Sequence, residues 1–145
     1  MNKNEAIAVN SFLRRDFPRY FVGFILIATG LGKVLELAGF VTVIEAYRLV
    51  SHGVAVALAY SLPLIELGTG FFLVIGRFLL SGASLAVGLH AVMISAVVIT
   101  LARGIPVDNC GCFGVFFARP LSYTTLIEDL VMLVMSVWAW INARK

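Results

Sequence analysis

Hydrophobic and polar positions in this chain are distributed in long blocks rather than in the short periods of a water-soluble domain. Apolar runs at about residues 20–40, 54–76, 78–102 and 121–141 are separated by short polar or glycine-containing breaks. Each run has ~20 residues or more, enough to cross a hydrocarbon layer of about 30 Å at about 1.5 Å per helical residue. The pattern predicts an all-α fold: a four-transmembrane-helix bundle over residues 20–141, preceded by an N-terminal segment 1–19 and followed by a tail 142–145. The third run is the cleanest, with no formal charge and His90 near its middle. The second is interrupted by Pro63 and carries Glu66, the first holds Lys33 and Glu36 in its outer half, and the fourth holds Glu128 and Asp129. Trp138 and Trp140 sit near the end of the fourth run, where an aromatic belt belongs. Residues 41–53 mix Glu45, Tyr47, Arg48 and His52 with apolar neighbours and predict an interfacial helix after the first span. Gly76-Arg77 predicts a tight turn. The pairs Ala28/Gly32 and Ser84/Gly88 have the small-xxx-small spacing that allows close helix packing. Before the first span, Val9, Phe12, Leu13 and Phe17 have rough helical spacing and predict a segment lying on the membrane surface. Pro18 marks the entry, and with no small-residue cleavage site after a short apolar core the segment reads as an uncleaved anchor.

Composition agrees with lipid as the solvent. Of 145 residues, 61% are hydrophobic and only 13% charged, and the mean hydropathy is +1.00. The length leaves room for one domain. A net charge of +3 and a pI near 9.1 are not accompanied by a basic stripe interleaved with aromatics, so no nucleic-acid partner is expected. The charge bears instead on orientation. Lys3, Arg14, Arg15, Arg19, Arg77, Arg144 and Lys145 fall on one side, and Lys33, Arg48, Arg103 and Arg119 on the other. Basic residues collect on the cytoplasmic side, so both termini are expected in the cytoplasm and the loop between the third and fourth spans outside. In a bacterium that is the inner membrane, with the loop in the periplasm, where disulfides persist.

That loop carries the candidate chemistry. Both cysteines of the chain lie in Asp108-Asn109-Cys110-Gly111-Cys112-Phe113-Gly114. Such a pair can be reduced, bridged or metal-bound. A bridge across one residue must bring the two Cα atoms to about 4.4–6.8 Å, which strains the backbone, and Gly111 relieves part of that strain. Strained, exposed disulfides are the exchangeable ones, and so short a loop removes too little chain entropy to make a useful staple. A zinc or iron–sulfur site needs about four ligands, and only His52 and His90 remain as further candidates unless a second chain contributes. No metal is expected. Asp108 and Asn109 supply turn-forming side chains. A carboxylate such as Asp108 would raise a thiol pKa, whereas Arg103 or Arg119 would lower it.

Ionisable residues inside spans are functional candidates. Counting along the helices puts Lys33 about 8–10 Å, and Glu128 and Asp129 about 12 Å, below the outer face. A Lys33–Asp129 or Lys33–Glu128 ion pair is therefore expected. Glu66 and His90 both fall near mid-depth and form a second candidate pair, suited to a proton route or to a quinone headgroup as cofactor. A purely structural role, neutralising charge and setting helix register, stands beside these readings.

The run Asn109-Cys110-Gly111-Cys112-Phe113-Gly114 resembles the signature of the MauE-type membrane proteins, the methylamine-utilisation branch of the DoxX-like group. Gly30-Leu31-Gly32-Lys33, Phe40, Ala46-Tyr47-Arg48-Leu49, Leu62-Pro63-Leu64-Ile65-Glu66-Leu67 and Arg119 match in the same order. The resemblance covers nearly the whole chain from Arg19 onward. It implies a four-helix membrane protein associated with periplasmic thiol–disulfide chemistry, working beside a thioredoxin-like partner on a disulfide-containing client. Cys110 and Cys112 are then the reacting pair, with Cys110 the favoured nucleophile and Asp108 as its base or orienting group. Two other classes compete: a non-enzymatic assembly factor, and a small transporter whose path is lined by Glu66, His90 and Lys33. No nucleotide-binding loop, hydrolase triad or metalloprotease motif is present.

Overall fold

The computed structural model describes Asn2, Glu5 and residues 16–145. Among the described residues the chain forms helices α1 (Phe17–Val34), α2 (Leu37–Ala46), α3 (His52–Ile75), α4 (Leu79–Ala102) and α5 (Tyr123–Ala143). The surface segment expected around Val9, Phe12 and Leu13 lies outside them. α1, α3, α4 and α5 are long and apolar enough to cross a membrane, and α2 is the short helix expected after the first span. Phe24, Leu64, Phe71, Val92, Val131 and Val134 all point outward and are exposed. In water this would be an aggregating surface, and in a bilayer it is the lipid-facing one.

Two boundaries differ from expectation. α1 ends at Val34 instead of continuing to residue 40, because Glu36 starts a new helix: its carboxylate accepts the Gly39 N–H at 2.7 Å. The apolar residues Leu37–Phe40 therefore belong to α2, and the short helix lies over residues 37–46 rather than 41–53. The expected interruption at Pro63 also does not occur. α3 runs through it from His52 to Ile75, with Pro63 buried and its carbonyl turned toward Gly30 of α1. In a membrane bundle, neighbouring helices make such a proline tolerable. Gly76 closes α3 in the left-handed conformation, with φ 78°, its N–H donating to the Phe72 carbonyl, which makes the tight turn into α4.

The spans form a ring in which α1 packs on α3, α3 on α4, α4 on α5 and α5 back on α1, with α2 laid on α3. The α1–α3 contact is the closest. A Cβ on Gly70 would lie 2.7 Å from the Gly23 carbonyl oxygen, so backbone meets backbone there. The small-residue faces expected elsewhere do not behave this way. Ala28 is exposed and Gly88 has open space around it. Ser84 does touch α5, accepting the indole N–H of Trp140 at 3.0 Å.

The close α1–α3 contact carries a buried ion pair. Lys33 Nζ donates to both carboxylate oxygens of Glu66, at 2.6 and 2.8 Å, and the Thr29 hydroxyl donates to Glu66 Oε2 at 3.2 Å. Lys33 is 2% exposed and Glu66 0%. The expected pairing of Lys33 with Asp129 or Glu128 is thus replaced by Lys33–Glu66. Depth along the helix axes did not reveal which neighbour each side chain turns toward, and α3 is nearer to Lys33 than α5. Lys33→Met leaves a desolvated carboxylate and should cost about 3–5 kcal/mol. Thermal unfolding of the detergent-solubilised protein should show that loss, and Lys33→Met combined with Glu66→Leu should recover most of it.

Candidate thiol site

The 103–122 segment returns from α4 to α5 and is tied down by its own backbone. The Cys110 N–H donates to the Arg119 carbonyl and the Leu121 N–H to the Val107 carbonyl, both at 2.8 Å. These two bonds seat the cysteine turn above the start of α5. Within the turn, Asn109 clamps both ends: its side-chain carbonyl accepts the Gly111 N–H at 2.9 Å and its amide donates to the Gly114 carbonyl at 3.1 Å. From the far side, the Tyr47 hydroxyl donates to the Cys110 carbonyl at 2.7 Å.

The turn also sits directly on the end of α1. Gly114 has φ 70°, and a Cβ there would be 2.5 Å from the Gly32 carbonyl oxygen; a Cβ on Gly32 would be 2.6 Å from the Phe113 carbonyl oxygen. Neither position has room for a side chain, which gives Gly32 a role as a seat for the turn rather than as a helix–helix contact. Gly111, at φ 73°, bends the backbone so that both cysteine side chains emerge on one side.

The result is a pair of free thiols with their sulfurs 2.9 Å apart, Cys110 buried and Cys112 half-buried. They differ in acidity. The hydrogen bond with the Cys112 thiol stabilises a thiolate on Cys110, helped by the Cys112 backbone N–H and the Arg119 charge; against the opposing effect of burial the Cys110 pKa falls to about 6. Cys112 is pushed the other way by the same hydrogen bond, by burial, and by the negative charges on Cys110 and Asp129. One sulfur is ready to attack at neutral pH while its neighbour holds a proton.

The remaining candidates separate into those near the thiols and those away from them. Arg119 acts on Cys110 electrostatically while its guanidinium pairs with Glu128 at 2.6 and 3.0 Å on the exposed side of α5. Arg103 does not reach the pair and instead donates to the Arg48 carbonyl at 3.0 Å. Asp108, expected to serve Cys110 as base or orienting group, is exposed and makes no hydrogen bond to the thiols, because Asn109 and Gly111 form the turn and leave Asp108 outside it. Asp129, one position beyond Glu128, faces inward and acts on both sulfurs.

Glu66 and His90 do not form the expected pair. The Glu66 oxygens are taken by Lys33 and Thr29, so the carboxylate suggested for a quinone headgroup is already occupied. His90 Nδ1 lies 2.7 Å from the Ala86 carbonyl and 3.1 Å from Ser136 Oγ, whose own hydroxyl donates to the Met132 carbonyl. Nδ1 is therefore the protonated nitrogen, donating to both oxygens. Lys33, Glu66 and His90 are all closed off from the surface. Among the described residues no three His, Cys, Asp or Glu side chains gather so as to hold a metal ion.

Sequence reasoning missed Tyr47 and Ser136 as partners and the use of Gly32 as a seat. Tyr47 is separated by 63 positions from the carbonyl it holds, and no local pattern signals such a contact.

Comparison with known proteins gives the family. The family described as methylamine utilisation protein MauE matches residues 11–142. The chain belongs to the MauE family. A methylamine utilization protein MauE of Paracoccus denitrificans is 25% identical over 119 residues, covering 82% of this chain and 64% of that relative. The chain thus spans about 64% of the length of this curated MauE protein. No solved structure matches the chain.

In the reduced protein, alkylation of Cys110 should accelerate about tenfold per pH unit below pH 6 and level off above it, since only the thiolate reacts. Cys112→Ala removes the stabilising hydrogen bond and should move the midpoint up toward the ordinary thiol value of about 8.5. Mass spectrometry of timed alkylation across pH reads both.

Proposed function

We propose that this MauE-family membrane protein exchanges thiols and disulfides through Cys110 and Cys112. The observation that carries the reading is the asymmetry of the pair: a Cys110 thiol with a pKa of about 6 lies 2.9 Å from a Cys112 thiol held protonated. An attacking sulfur needs thiolate character near ambient pH, and a resolving sulfur needs to be in reach. Cys110 attacks a disulfide on another protein and forms a mixed disulfide; Cys112 then attacks the Cys110 sulfur and releases the other protein with its thiols reduced. The reverse sequence donates a disulfide. The backbone clamps made by Asn109, Tyr47 and the Arg119 carbonyl hold both sulfurs on one side of the turn, which favours ring closure.

The partner in this reading is a periplasmic thioredoxin-like protein or a disulfide-containing client, and the setting is maturation of a protein used in methylamine utilisation. The bias of basic residues toward the side of Arg19, Arg77 and Lys145 supports cytoplasmic termini and a thiol turn facing the periplasm. An assembly factor that only holds its client remains the competitor, and it differs in not needing the sulfurs.

Substitution of Cys112 by Ser in cells should trap a Cys110-linked adduct visible on a non-reducing gel and lost on reduction. The Cys110→Ser, Cys112→Ser double variant should lose maturation of the client at normal protein levels. Full maturation with both sulfurs gone, and no adduct from either single variant, would point to the assembly factor.

A further inference from the structure

α5 presents Thr125, Asp129, Met132, Ser136 and Ala139 along one stripe at helical spacing. Thr125, Ser136 and Ala139 are buried, and Met132 packs on the core. Asp129 is half-buried on that stripe and has no hydrogen-bond partner among the described residues, whereas its neighbour Glu128 turns outward to Arg119. A carboxylate turned inward in a lipid-embedded helix without a bonded partner is costly to keep. Its surroundings suggest what it serves. The Cys110–Arg119 and Leu121–Val107 backbone bonds hold the thiol turn over the start of α5, and Asp129 lies ~9 Å into that helix from Tyr123 at about 1.5 Å per residue. Lys33 of α1, Tyr47 beyond α2, Cys110 and Cys112 of the turn and Glu128 of α5 all lie within its electrostatic reach. From α4, His90 meets the same stripe two turns deeper, at Ser136.

We propose that Asp129 is the proton acceptor for Cys112 in the step that closes the Cys110–Cys112 disulfide. The proposal rests on the exchange reading and adds the base it lacks. With a disulfide RS–SR′ as co-reactant, the Cys110 thiolate bonds to one sulfur and R′S⁻ leaves. Cys112 S–H then gives its proton to the Asp129 carboxylate, directly or through one water. The Cys112 thiolate bonds to the Cys110 sulfur, breaks the mixed disulfide and expels RS⁻, to which the proton passes. Two thiols of this chain are oxidised and one disulfide of the partner is reduced, with the proton count unchanged. Lys33 lies within electrostatic reach of Asp129, but its ammonium is hydrogen-bonded to Glu66, so Asp129 has no bonded cation among the described residues.

The test uses the reduced full-length protein in detergent, mixed with a chromogenic aryl disulfide in a stopped-flow instrument. Wild type should release coloured thiolate twice. The first release depends on reagent concentration and reports Cys110. The second does not, and reports closure by Cys112. Asp129→Asn should leave the first release within about twofold and slow the second about 100-fold at neutral pH, the scale of a lost general base, with the deficit shrinking as pH rises. Asp129→Glu should restore the second release. An unchanged second release in Asp129→Asn overturns the proposal while leaving exchange intact, whereas absence of the first release in wild type overturns exchange itself. If Asp129→Asn does not fold, the wild-type and Asp129→Glu pH profiles decide. A second release that climbs through a carboxyl titration shifted by Asp129→Glu supports the proposal, and identical profiles overturn it.

Discussion

The Lys33–Glu66 pair is the constraint from which the rest of the molecule can be understood. An ammonium and a carboxylate in a lipid-embedded bundle must meet with good geometry, because neither can be left unpaired without a penalty of several kcal/mol. Meeting requires α1 and α3 to lie close, and the glycine contacts at Gly23, Gly30 and Gly70 supply that closeness. With α1 held against α3, its last turn becomes a fixed platform. The thiol turn rests on that platform through Gly32 and Gly114, one residue from the buried lysine. The pair therefore does structural work that ends at the chemistry: it locates the surface on which the two sulfurs are presented.

The turn itself illustrates how a protein makes two like groups unlike. Cys110 and Cys112 are separated by a single glycine, yet one is turned into an acid near neutrality and the other is kept protonated. The difference comes from a hydrogen bond between them and from what surrounds each: the Arg119 charge favours a thiolate on Cys110, Cys112 feels the negative charge of Cys110, and Asp129 acts on both. None of this needs a strained backbone outside glycine. Asn109, Tyr47 and the Arg119 carbonyl carry the positioning, and each of them bonds to backbone rather than to sulfur, so the thiols stay free to react.

Membership of the MauE family and the geometry of the thiol turn bear on different questions. The match over residues 11–142 establishes kinship for almost the whole chain, and the four long apolar helices establish a membrane protein of several spans. This chain covers 64% of the length of the curated relative, so kinship by itself does not carry the reaction, its partner or the face on which it occurs.

The linear order of residues was enough to determine the fold class, the number of spans and the location of the cysteine turn. Those depend on long apolar blocks, on a short polar gap and on two cysteines in that gap, all local properties. Residues 52–75, 79–102 and 123–143 lie within a few positions of the runs visible in the chain, since lipid imposes both length and composition on a spanning helix. The Lys33 partner was not legible, because depth along an axis says nothing about rotation around it, and the azimuth is set by which helices touch. The same holds for the split between Glu128 and Asp129, adjacent in the chain but turned about 100° apart on the helix, one outward to Arg119, the other onto the half-buried stripe of α5. Asp108 looked like the natural neighbour of Cys110, yet the turn leaves it exposed, and the carboxylate that acts electrostatically on both sulfurs is Asp129, 19 positions along the chain from Cys110. Only packing could decide that, because charge acts through space and the chain returns to the same space from several directions.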